Sequence, residues 1–222
     1  MQYKAAIFDL DGTLIDSLED LANSANAMLE SYGFPTHPVD PYRYFVGNGS
    51  RKLIKRCLPK EKGADPAFVD EALARYKKIY AEHTQDKTRP YDGILEMLAA
   101  LKRMNIPMGI CTNKHQSAAE DIVKAMFPAD MFATVIGDQP GLPRKPDPKK
   151  VLRMAEEYGV RPEETAYFGD TSVDMDTAVN AGMLPIGVLW GFRPKEELTE
   201  HGAKVLLEKP SDLFQNVEFA RK

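Results

Sequence analysis

The sequence has little of what secreted, membrane-spanning or nucleic-acid-binding proteins require. Only two cysteines, Cys57 and Cys111, occur in 222 residues, and their positions indicate neither a disulfide framework nor a metal site. The formal net charge of −4 provides no basic excess to neutralise the phosphates of a nucleic acid. No apolar run approaches the length that spans a membrane, and the N-terminus has no cationic leader. We therefore expect a cytoplasmic protein that binds neither membranes nor nucleic acids.

What is present is the composition of a globular protein with a sizeable core. Apolar residues make up 43% of the chain and charged residues 28%, which are ordinary values for a folded domain. A length of 222 residues suits one large domain, or a core domain into which a smaller one is inserted. The order of the apolar segments along the chain favours the second arrangement.

Short apolar runs alternate with amphipathic segments through most of the chain. The runs predict strands at 5–10, 106–112, 131–137, 165–168, 184–190 and 204–207. The segments between them predict helices whose apolar faces are Ile94, Leu95, Leu98 and Leu101; Ala119, Ile122, Val123 and Met126; and Val151, Leu152, Ala155 and Tyr158. This alternation predicts an α/β fold: a Rossmann-like core with a mainly parallel sheet and helices on both faces.

The alternation stops between residues 16 and 87, where the sequence has three helical stripes and no convincing strand pattern. An all-helical block directly after the first strand indicates an inserted domain. We expect residues 1–15 and 88–222 to form the α/β core and residues 16–87 to form a helical cap. Ligands of such sheets bind beyond the carboxyl ends of the strands, so a cap at this place would cover the site and select the substrate.

The first predicted strand ends in residues suited to cation and phosphate chemistry. It runs into Asp9-Leu10-Asp11, after which Gly12-Thr13 turns the chain. Residues two apart in an extended chain point to the same side, so Asp9 and Asp11 can face one point. Two carboxylates at one point repel each other unless a cation or a shared proton relieves them, which indicates Mg²⁺ and a phosphate. An ordinary Asp-Gly turn after a polar strand end is the alternative.

Three later segments carry polar residues at the ends of strands or at the start of a helix. Thr112 and Asn113 end one predicted strand, and Lys145 lies in a proline-rich segment before a helix. Asp170 ends another strand, four residues before Asp174. Taken singly, each has an ordinary interpretation as a helix cap or an exposed loop charge. Taken together with the first strand, they place four carboxylates at the strand ends of one sheet, which requires divalent charge among them.

The four segments, FDLDGTL, CTN, RKPDP and GDTSVD, match in order the four motifs of the haloacid dehalogenase superfamily of aspartate-nucleophile phosphatases. The chain resembles this family over nearly its whole length, including the helical cap. The resemblance implies a Mg²⁺-dependent phosphatase in which Asp9 is the nucleophile that forms an aspartyl-phosphate. It implies that Asp11 is the general acid and then the general base. Relatives that store the phosphoenzyme carry Thr at the position of Asp11, so turnover is expected here.

The same resemblance assigns the binding residues. The phosphoryl group is expected to be bound by residues of three motifs: Gly12, Thr112, Asn113 and Lys145. Mg²⁺ is expected to be bound by acidic residues of two motifs: Asp9, the backbone carbonyl of Asp11, Asp170 and, in support, Asp174. Lys145 is also expected to stabilise the nucleophile, because its charge offsets the repulsion between a carboxylate and an anionic phosphate.

A glycine-rich loop in the helical stretch bears on the substrate. Gly47-Asn48-Gly49 stands directly before a helix, and such a loop exposes backbone N–H groups suited to a small carboxylate or phosphate. A flexible turn between two helices explains the composition equally well. The loop resembles the cap signature of phosphoglycolate phosphatases. This likeness implies 2-phosphoglycolate as the substrate, with Gly47, Asn48, Gly49 and Arg51 at its carboxylate side.

Other functions remain open at this point. Family members with similar caps cleave pyrophosphate or small sugar phosphates, and a β-phosphoglucomutase-like sugar phosphomutase uses the same core to return the phosphoryl group to a bisphosphate intermediate. A non-catalytic phospholigand-binding protein on the same fold is a more distant alternative, because Asp9, Asp11, Lys145 and Asp170 are all present. We expect a small phosphorylated metabolite as the ligand, and a monomer or a homodimer.

Overall fold

The computed structural model describes residues 2–220, in which helices and strands alternate as predicted through most of the chain. In chain order the elements are β1 (Ala5–Phe8), β2 (Ile15–Asp16), α1 (Leu18–Glu30), α2 (Tyr42–Phe45), α3 (Ser50–Cys57), α4 (Lys60–Gly63), α5 (Pro66–Glu82), β3 (Arg89–Pro90), α6 (Ile94–Arg103), β4 (Met108–His115), α7 (Gln116–Met126), β5 (Thr134–Asp138), α8 (Lys149–Glu157), β6 (Thr165–Gly169), α9 (Ser172–Ala181), β7 (Leu184–Val188), α10 (Lys195–Glu200), β8 (Val205–Leu207) and α11 (Leu213–Asn216).

Six of the strands form one sheet in the order β5-β4-β1-β6-β7-β8, and every pairing in it is parallel. This confirms the predicted α/β class. The strands are buried on both sides because helices cover both faces, which is the usual condition of a parallel sheet. β1 lies at the centre, between β4 and β6.

Successive residues of β1 belong to two different hydrophobic cores. Ala6 and Phe8 pack with the inner faces of α6 and α7, whereas Ala5 and Ile7 pack with α8 and α9. All four side chains are fully buried. This is the pattern of a strand whose side chains alternate between two covered faces, and it confirms that helices lie on both sides of the sheet.

Two leucines assigned to buried helix faces lie on the outside. Leu95 is 42% exposed and Leu152 is 36% exposed. Met97 and Met154 take their places in the core. The physical reason is the helical period: positions i, i+3, i+4 and i+7 share one face, and these two leucines lie one residue, or about 100°, beyond it.

The chain forms two compact units. The first contains residues up to Ile15 and from Pro90 onward, and the second is Asp16–Arg89. The predicted insertion covered 16–87. Two short strands that the sequence did not predict, β2 and β3, pair with each other.

The second unit is helical, as its sequence pattern predicted, but it contains five helices instead of three. The unpredicted helices α2 and α4 have four residues each, too short for a periodic pattern. The three predicted stripes are the buried faces of α1, α3 and α5. Asp65 caps the start of α5, because its side chain accepts hydrogen bonds from the N–H groups of Ala67 and Phe68. Among residues 2–220, no helix combines the length and apolar character that crossing a membrane requires.

A buried carboxylate joins the two ends of the second unit. Asp20, in the first turn of α1, is 2% exposed. It accepts hydrogen bonds from the backbone N–H groups of Lys87 and Thr88 and from the Thr88 hydroxyl, at 2.6 to 3.0 Å. Because these partners lie 67 and 68 residues away along the chain, the sequence analysis did not identify this contact.

We expect Asp20→Asn to lower the free energy of unfolding by about 1–3 kcal/mol, because an amide N–H₂ would face N–H donors that the carboxylate now satisfies. The measurement is thermal unfolding followed by calorimetry. Glu19→Gln, on the exposed neighbouring residue, is the matched control and should unfold like the wild type. An unchanged midpoint for Asp20→Asn would show that the buried carboxylate does not hold the two segments together.

Candidate active site

The carboxyl end of β1 lies where the strand order reverses. From β1 the chain proceeds to β4 and β5 on one side, then returns to β6, β7 and β8 on the other. Open α/β sheets bind their ligands at such a point. Asp9 follows β1 directly, and its backbone N–H donates to the Phe168 carbonyl at 2.9 Å. This bond fixes Asp9 against the end of β6.

The turn after Asp9 depends on a glycine. Gly12 has a φ of 82°, a conformation that other residues rarely adopt, and an added Cβ would overlap the Asp170 carboxylate. Its N–H donates to the Ile15 carbonyl at 2.9 Å. The sequence analysis placed Gly12 among the phosphate-binding residues. In the structure its N–H is engaged in the turn and its backbone approaches Asp170 closely, while its contact with a phosphoryl group stays a prediction.

Three carboxylates meet at this end of the sheet. Asp9, Asp170 and Asp174 each place one carboxylate oxygen within 4.8 Å of an oxygen of the other two. All three residues are buried. Burial and the neighbouring Asp174 carboxylate raise the pKa of Asp9 to about 7. Burial, with Asp174 and Asp9, also raises the pKa of Asp170 well above its usual value. Such a cluster favours a bound cation, which would stabilise the ionised forms.

The Asp11 carboxylate lies near Asp9, whose pKa it helps to raise, but it pairs with a lysine. Its carboxylate lies outside the cluster and forms an ion pair with Lys114, with Nζ at 2.9 Å from Oδ1 and 3.2 Å from Oδ2. The physical reason is that β1 ends at Phe8 and the chain then turns, so the two-residue period of a strand does not extend to Asp11.

Lys145 provides the cationic group inside the carboxylate cluster. Its Nζ lies 2.8 Å from Asp9 Oδ1 and 2.7 Å from Asp174 Oδ1, and its side chain is 1% exposed. Burial alone would lower the pKa of this ammonium, but the Asp174 and Asp9 carboxylates outweigh it and raise the pKa well above its usual value. Lys145 is therefore held as a cation between the predicted nucleophile and a predicted metal-binding residue.

Asn113 positions Lys145. Its side-chain Oδ1 accepts from the Lys145 backbone N–H at 3.0 Å, and its Nδ2 donates to the Lys145 carbonyl at 3.3 Å. In the structure this amide pairs with the backbone of Lys145, and its predicted contact with a phosphoryl group stays a prediction. Thr112, also buried, accepts from the Lys114 backbone N–H at 3.1 Å through its hydroxyl oxygen. The proton of that hydroxyl can therefore be donated to another group.

A loop after β7 supports Asp170. Asp170 Oδ2 accepts from the Phe192 N–H at 2.8 Å, and Oδ1 accepts from the Thr13 hydroxyl at 3.1 Å. The Trp190 indole donates to the Thr13 carbonyl at 2.9 Å. A Cβ at Gly191 would overlap both Asp170 and the Gly12 carbonyl. The loop thus fixes Asp170 and the turn after Asp9 relative to each other.

Asp174 is held from its own helix and from β6. Its Oδ2 accepts from the backbone N–H and the hydroxyl of Thr171, at 3.1 and 2.7 Å, in a capping arrangement at the start of α9. The buried Tyr167 hydroxyl lies 3.3 Å from Oδ1. The cap was foreseen as an ordinary role for Asp174, whereas the tyrosine was missed.

The residues that sequence reasoning missed leave weak local signals. Lys114 directly follows Thr112 and Asn113, and Trp190 is the last residue of a predicted strand. Both signals are ordinary in isolation, because a lysine at a strand end is usually solvated. Their partners, Asp11 and Thr13, are 103 and 177 residues away.

The remaining predicted residues lie in the second unit. Gly47 and Gly49 have φ values of 99° and 85°, so this loop requires glycine at both positions. Arg56 supports the loop: its guanidinium donates to Asn48 Oδ1 at 2.7 Å. Arg51 forms an ion pair with Asp70, with Nε at 2.7 Å from Oδ1. The two glycines and the Arg56 contact thus define the conformation of the loop before α3.

The donor set of the first unit fits a hard divalent cation. Three buried carboxylates lie together and one buried ammonium contacts two of them, so negative charge remains in excess, and oxygen is the ligand atom that Mg²⁺ prefers. Asp9, Asp170 and Asp174 are the residues that would hold the ion. When bound, Mg²⁺ supplies positive charge at the place where an anionic nucleophile meets an anionic phosphate.

Comparison with known proteins gives the family. The family model for haloacid dehalogenase-like hydrolases matches residues 6–188. This chain belongs to that family. This chain is 36% identical over 199 residues to the phosphoglycolate phosphatase of Thiobacillus denitrificans, and the alignment covers 89% of this chain and 88% of that protein. It is 30% identical over 223 residues to the N-acetylmuramic acid 6-phosphate phosphatase of Pseudomonas aeruginosa, covering 99% and 97%.

A solved structure agrees with this assignment. The haloacid dehalogenase-like hydrolase matches a proposed phosphoglycolate phosphatase of Lactobacillus delbrueckii with a TM-score of 0.88 and 31% identity, covering 96% of this chain and 97% of that one. The match includes both units, since it extends over nearly the whole chain. The protein is therefore a hydrolase whose similarity is to the phosphatases of its family.

Proposed function

We propose that this haloacid dehalogenase-like hydrolase is a Mg²⁺-dependent phosphomonoester hydrolase that acts through an aspartyl-phosphate on Asp9. The observation that carries the proposal is the buried contact of Lys145 with Asp9 and Asp174, beside Asp170. A carboxylate at the end of a central strand, held against an ammonium, is suited to attack an anionic phosphorus centre.

The first step transfers the phosphoryl group to the enzyme. An Asp9 carboxylate oxygen forms a bond to phosphorus while the bond from phosphorus to the ester oxygen breaks. Asp11 donates a proton to the departing oxygen, which leaves as an alcohol. Lys145 and the Thr112 hydroxyl bind the phosphoryl oxygens, and Asn113 keeps Lys145 in position through its backbone.

The second step returns Asp9 to its starting form. Asp11 accepts a proton from water as the water oxygen bonds to phosphorus, and the bond between phosphorus and the Asp9 oxygen breaks. Inorganic phosphate leaves. Lys145 lies against Asp9 and so stabilises the carboxylate that this step regenerates.

For the substrate we propose 2-phosphoglycolate, with the second unit as the cap that selects it. The likeness to phosphoglycolate phosphatases covers 89% of this chain, and the glycine-rich loop Gly47-Asn48-Gly49, directly before α3, supports binding of a small carboxylate. A sugar phosphate is the second candidate, favoured by the 30% identity to an N-acetylmuramic acid 6-phosphate phosphatase over almost the whole chain. The cytoplasmic location and the monomeric or homodimeric state stay predictions.

The experiment that tests the proposal is phosphate release across a panel, with and without Mg²⁺. The panel holds 2-phosphoglycolate, N-acetylmuramic acid 6-phosphate, a hexose phosphate, a hexose bisphosphate, pyrophosphate and p-nitrophenyl phosphate. We expect kcat/KM to be highest for 2-phosphoglycolate and to require Mg²⁺. A higher kcat/KM for a sugar phosphate would support the phosphatase activity and show that 2-phosphoglycolate is not the preferred substrate. Transfer between sugars without phosphate release would identify a mutase.

We expect Asn48→Ala to lower kcat/KM for 2-phosphoglycolate about 10-fold and to change that for p-nitrophenyl phosphate less than about 2-fold, because a specificity contact acts only on the substrate that uses it. The measurement is steady-state kinetics on both substrates. Asn216→Ala, on an exposed residue of α11, is the control. Arg56→Gln should reproduce the effect, since Arg56 supports Asn48. Equal losses on both substrates would assign the loop a structural role.

A further inference from the structure

Near the candidate active site, Lys114 forms a largely buried ion pair with Asp11. No role predicted from the sequence explains this pair. The Lys114 side chain is 6% exposed and that of Asp11 is 19% exposed. The ammonium lies against both Asp11 oxygens, at 2.9 and 3.2 Å, instead of against one. A two-oxygen contact restrains the rotation of the carboxylate as well as its position.

An irregularity in β4 brings Lys114 to this place. The pairing of β4 with β5 shifts register between Cys111 and His115. In a regular strand, neighbouring residues would point to opposite faces. Here the neighbours Asn113 and Lys114 both contact residues of the site, since Asn113 holds Lys145 and Lys114 holds Asp11.

The ion pair with Lys114 keeps the Asp11 carboxylate apart from the three clustered carboxylates. Asp9, Asp170 and Asp174 lie within 4.8 Å of one another, whereas Asp11 is turned to Lys114. A group that must exchange protons with the leaving oxygen and with water is best kept out of the coordination shell of a metal ion, because a metal ligand is not free to carry a proton.

We propose that Lys114 is a positioning residue, which holds the acid/base carboxyl group of Asp11 in one orientation and outside the cation-binding cluster. The inference rests on the proposed function, in which Asp11 protonates the leaving oxygen. The ammonium can donate to both oxygens of the ionised carboxylate, as in the structure, and to one oxygen while the other carries the proton. Lys114 thus acts through Asp11 and needs no contact with the substrate.

The test uses leaving groups that differ in their need for a proton. Breaking a bond to an alkyl oxygen requires the acid, whereas p-nitrophenolate leaves without one. The substrates are 2-phosphoglycolate, glycerol 2-phosphate as an alkyl ester without a carboxylate, and p-nitrophenyl phosphate. The measured quantity is kcat/KM, which reports the steps up to phosphoryl transfer to the enzyme.

We expect Lys114→Met to lower kcat/KM about 100-fold for both alkyl substrates and less than about 5-fold for the aryl substrate, in line with the size of general acid catalysis. Asp11→Asn should give the same selective loss. The double variant should lose no more than Asp11→Asn alone, because the two residues act as one unit. Lys114→Arg, which keeps a cationic donor, should recover part of the alkyl activity and covers the case in which Lys114→Met does not fold.

Three results would overturn the inference: equal losses on alkyl and aryl substrates, additive losses in the double variant, or a loss confined to 2-phosphoglycolate. The last would mean that Lys114 binds the substrate carboxylate. If Asp11→Asn itself shows no selective loss, the acid role in the proposed function fails, and the double variant still decides whether Lys114 acts through Asp11. Lys4→Met, which removes a lysine–carboxylate pair with Glu164 outside the site, is the matched control and should leave all three rates unchanged.

Discussion

Replacing Asp9 with Asn is expected to abolish phosphate release, with a loss of at least about 10³-fold in kcat on every substrate, since an amide oxygen cannot form the aspartyl-phosphate. The side chains have the same shape, so the variant should fold. The measurement is phosphate release at saturating Mg²⁺ with 2-phosphoglycolate and p-nitrophenyl phosphate. Because the nucleophile serves every substrate, the loss should not depend on the leaving group.

Asp9→Asn is also expected to change how the free energy of unfolding depends on pH. Burial and the Asp174 carboxylate raise the pKa of Asp9 to about 7 in the folded protein, above the ordinary value of 3.8. The folded state therefore holds a proton that the unfolded state releases, and the free energy of unfolding contributed by Asp9 falls as the pH rises from about 4 to about 7. In EDTA, Asp9→Asn should lose this part of the pH dependence.

Two observations would contradict the nucleophile assignment. One is phosphate release by Asp9→Asn at more than about a tenth of the wild-type rate. The other is an equal loss in Asp130→Asn, an exposed aspartate paired with Lys102, which serves as the matched control for the same chemical change. The control should retain full activity and the wild-type pH dependence of unfolding.

The second large effect is expected for Lys145→Met. Its ammonium contacts Asp9 and Asp174, so its removal leaves buried carboxylates without their counter-charge. We expect a loss of about 3–5 kcal/mol in the free energy of unfolding in EDTA, the usual cost of breaking a buried ion pair from one side. We also expect turnover to fall at least about 10³-fold, because Lys145 no longer offsets the charge of the phosphoryl group. Calorimetry and steady-state kinetics measure the two effects.

A second buried lysine offers a matched control. Lys150 is 1% exposed and donates to the Gly137 carbonyl at 2.8 Å, and burial lowers its pKa. Lys150→Met removes the same group from a buried position outside the cluster. It should change stability while kcat stays within about 3-fold of the wild type. If Lys150→Met reduced kcat as strongly as Lys145→Met, the effect of Lys145 on turnover would reflect general destabilisation.

The fold and the strand-end residues could be predicted from the sequence because both depend on short-range patterns. The strand at Ala5–Phe8 is a continuous apolar run, and Asp9 and Asp170 follow their strands without a gap. Parallel strands bring their carboxyl ends to one edge of a sheet, so residues at those ends meet once the class is known. The family resemblance added roles to residues that the pattern had already placed.

The contacts between motifs could not be predicted, because they depend on register and on the course of loops. Asn113 pairs with the backbone of Lys145, and Lys114 pairs with Asp11. The register shift in β4 determines where Asn113 and Lys114 point. The residue types of that strand do not predict this shift. The hydrogen bond from Thr88 to Asp20 likewise joins two segments that are close only because of the packing of the second unit.

The glycines on either side of Asp170 have a consequence for how this protein can be altered. Gly12 and Gly191 approach Asp170 so closely that a single methyl group at either position would overlap it. The smallest possible change in side chain is therefore among the most harmful there, while many larger changes on exposed helix faces cost little. A library intended to change the substrate should leave these two positions fixed and vary the loop before α3. The enzyme can then acquire new preferences without losing its chemistry.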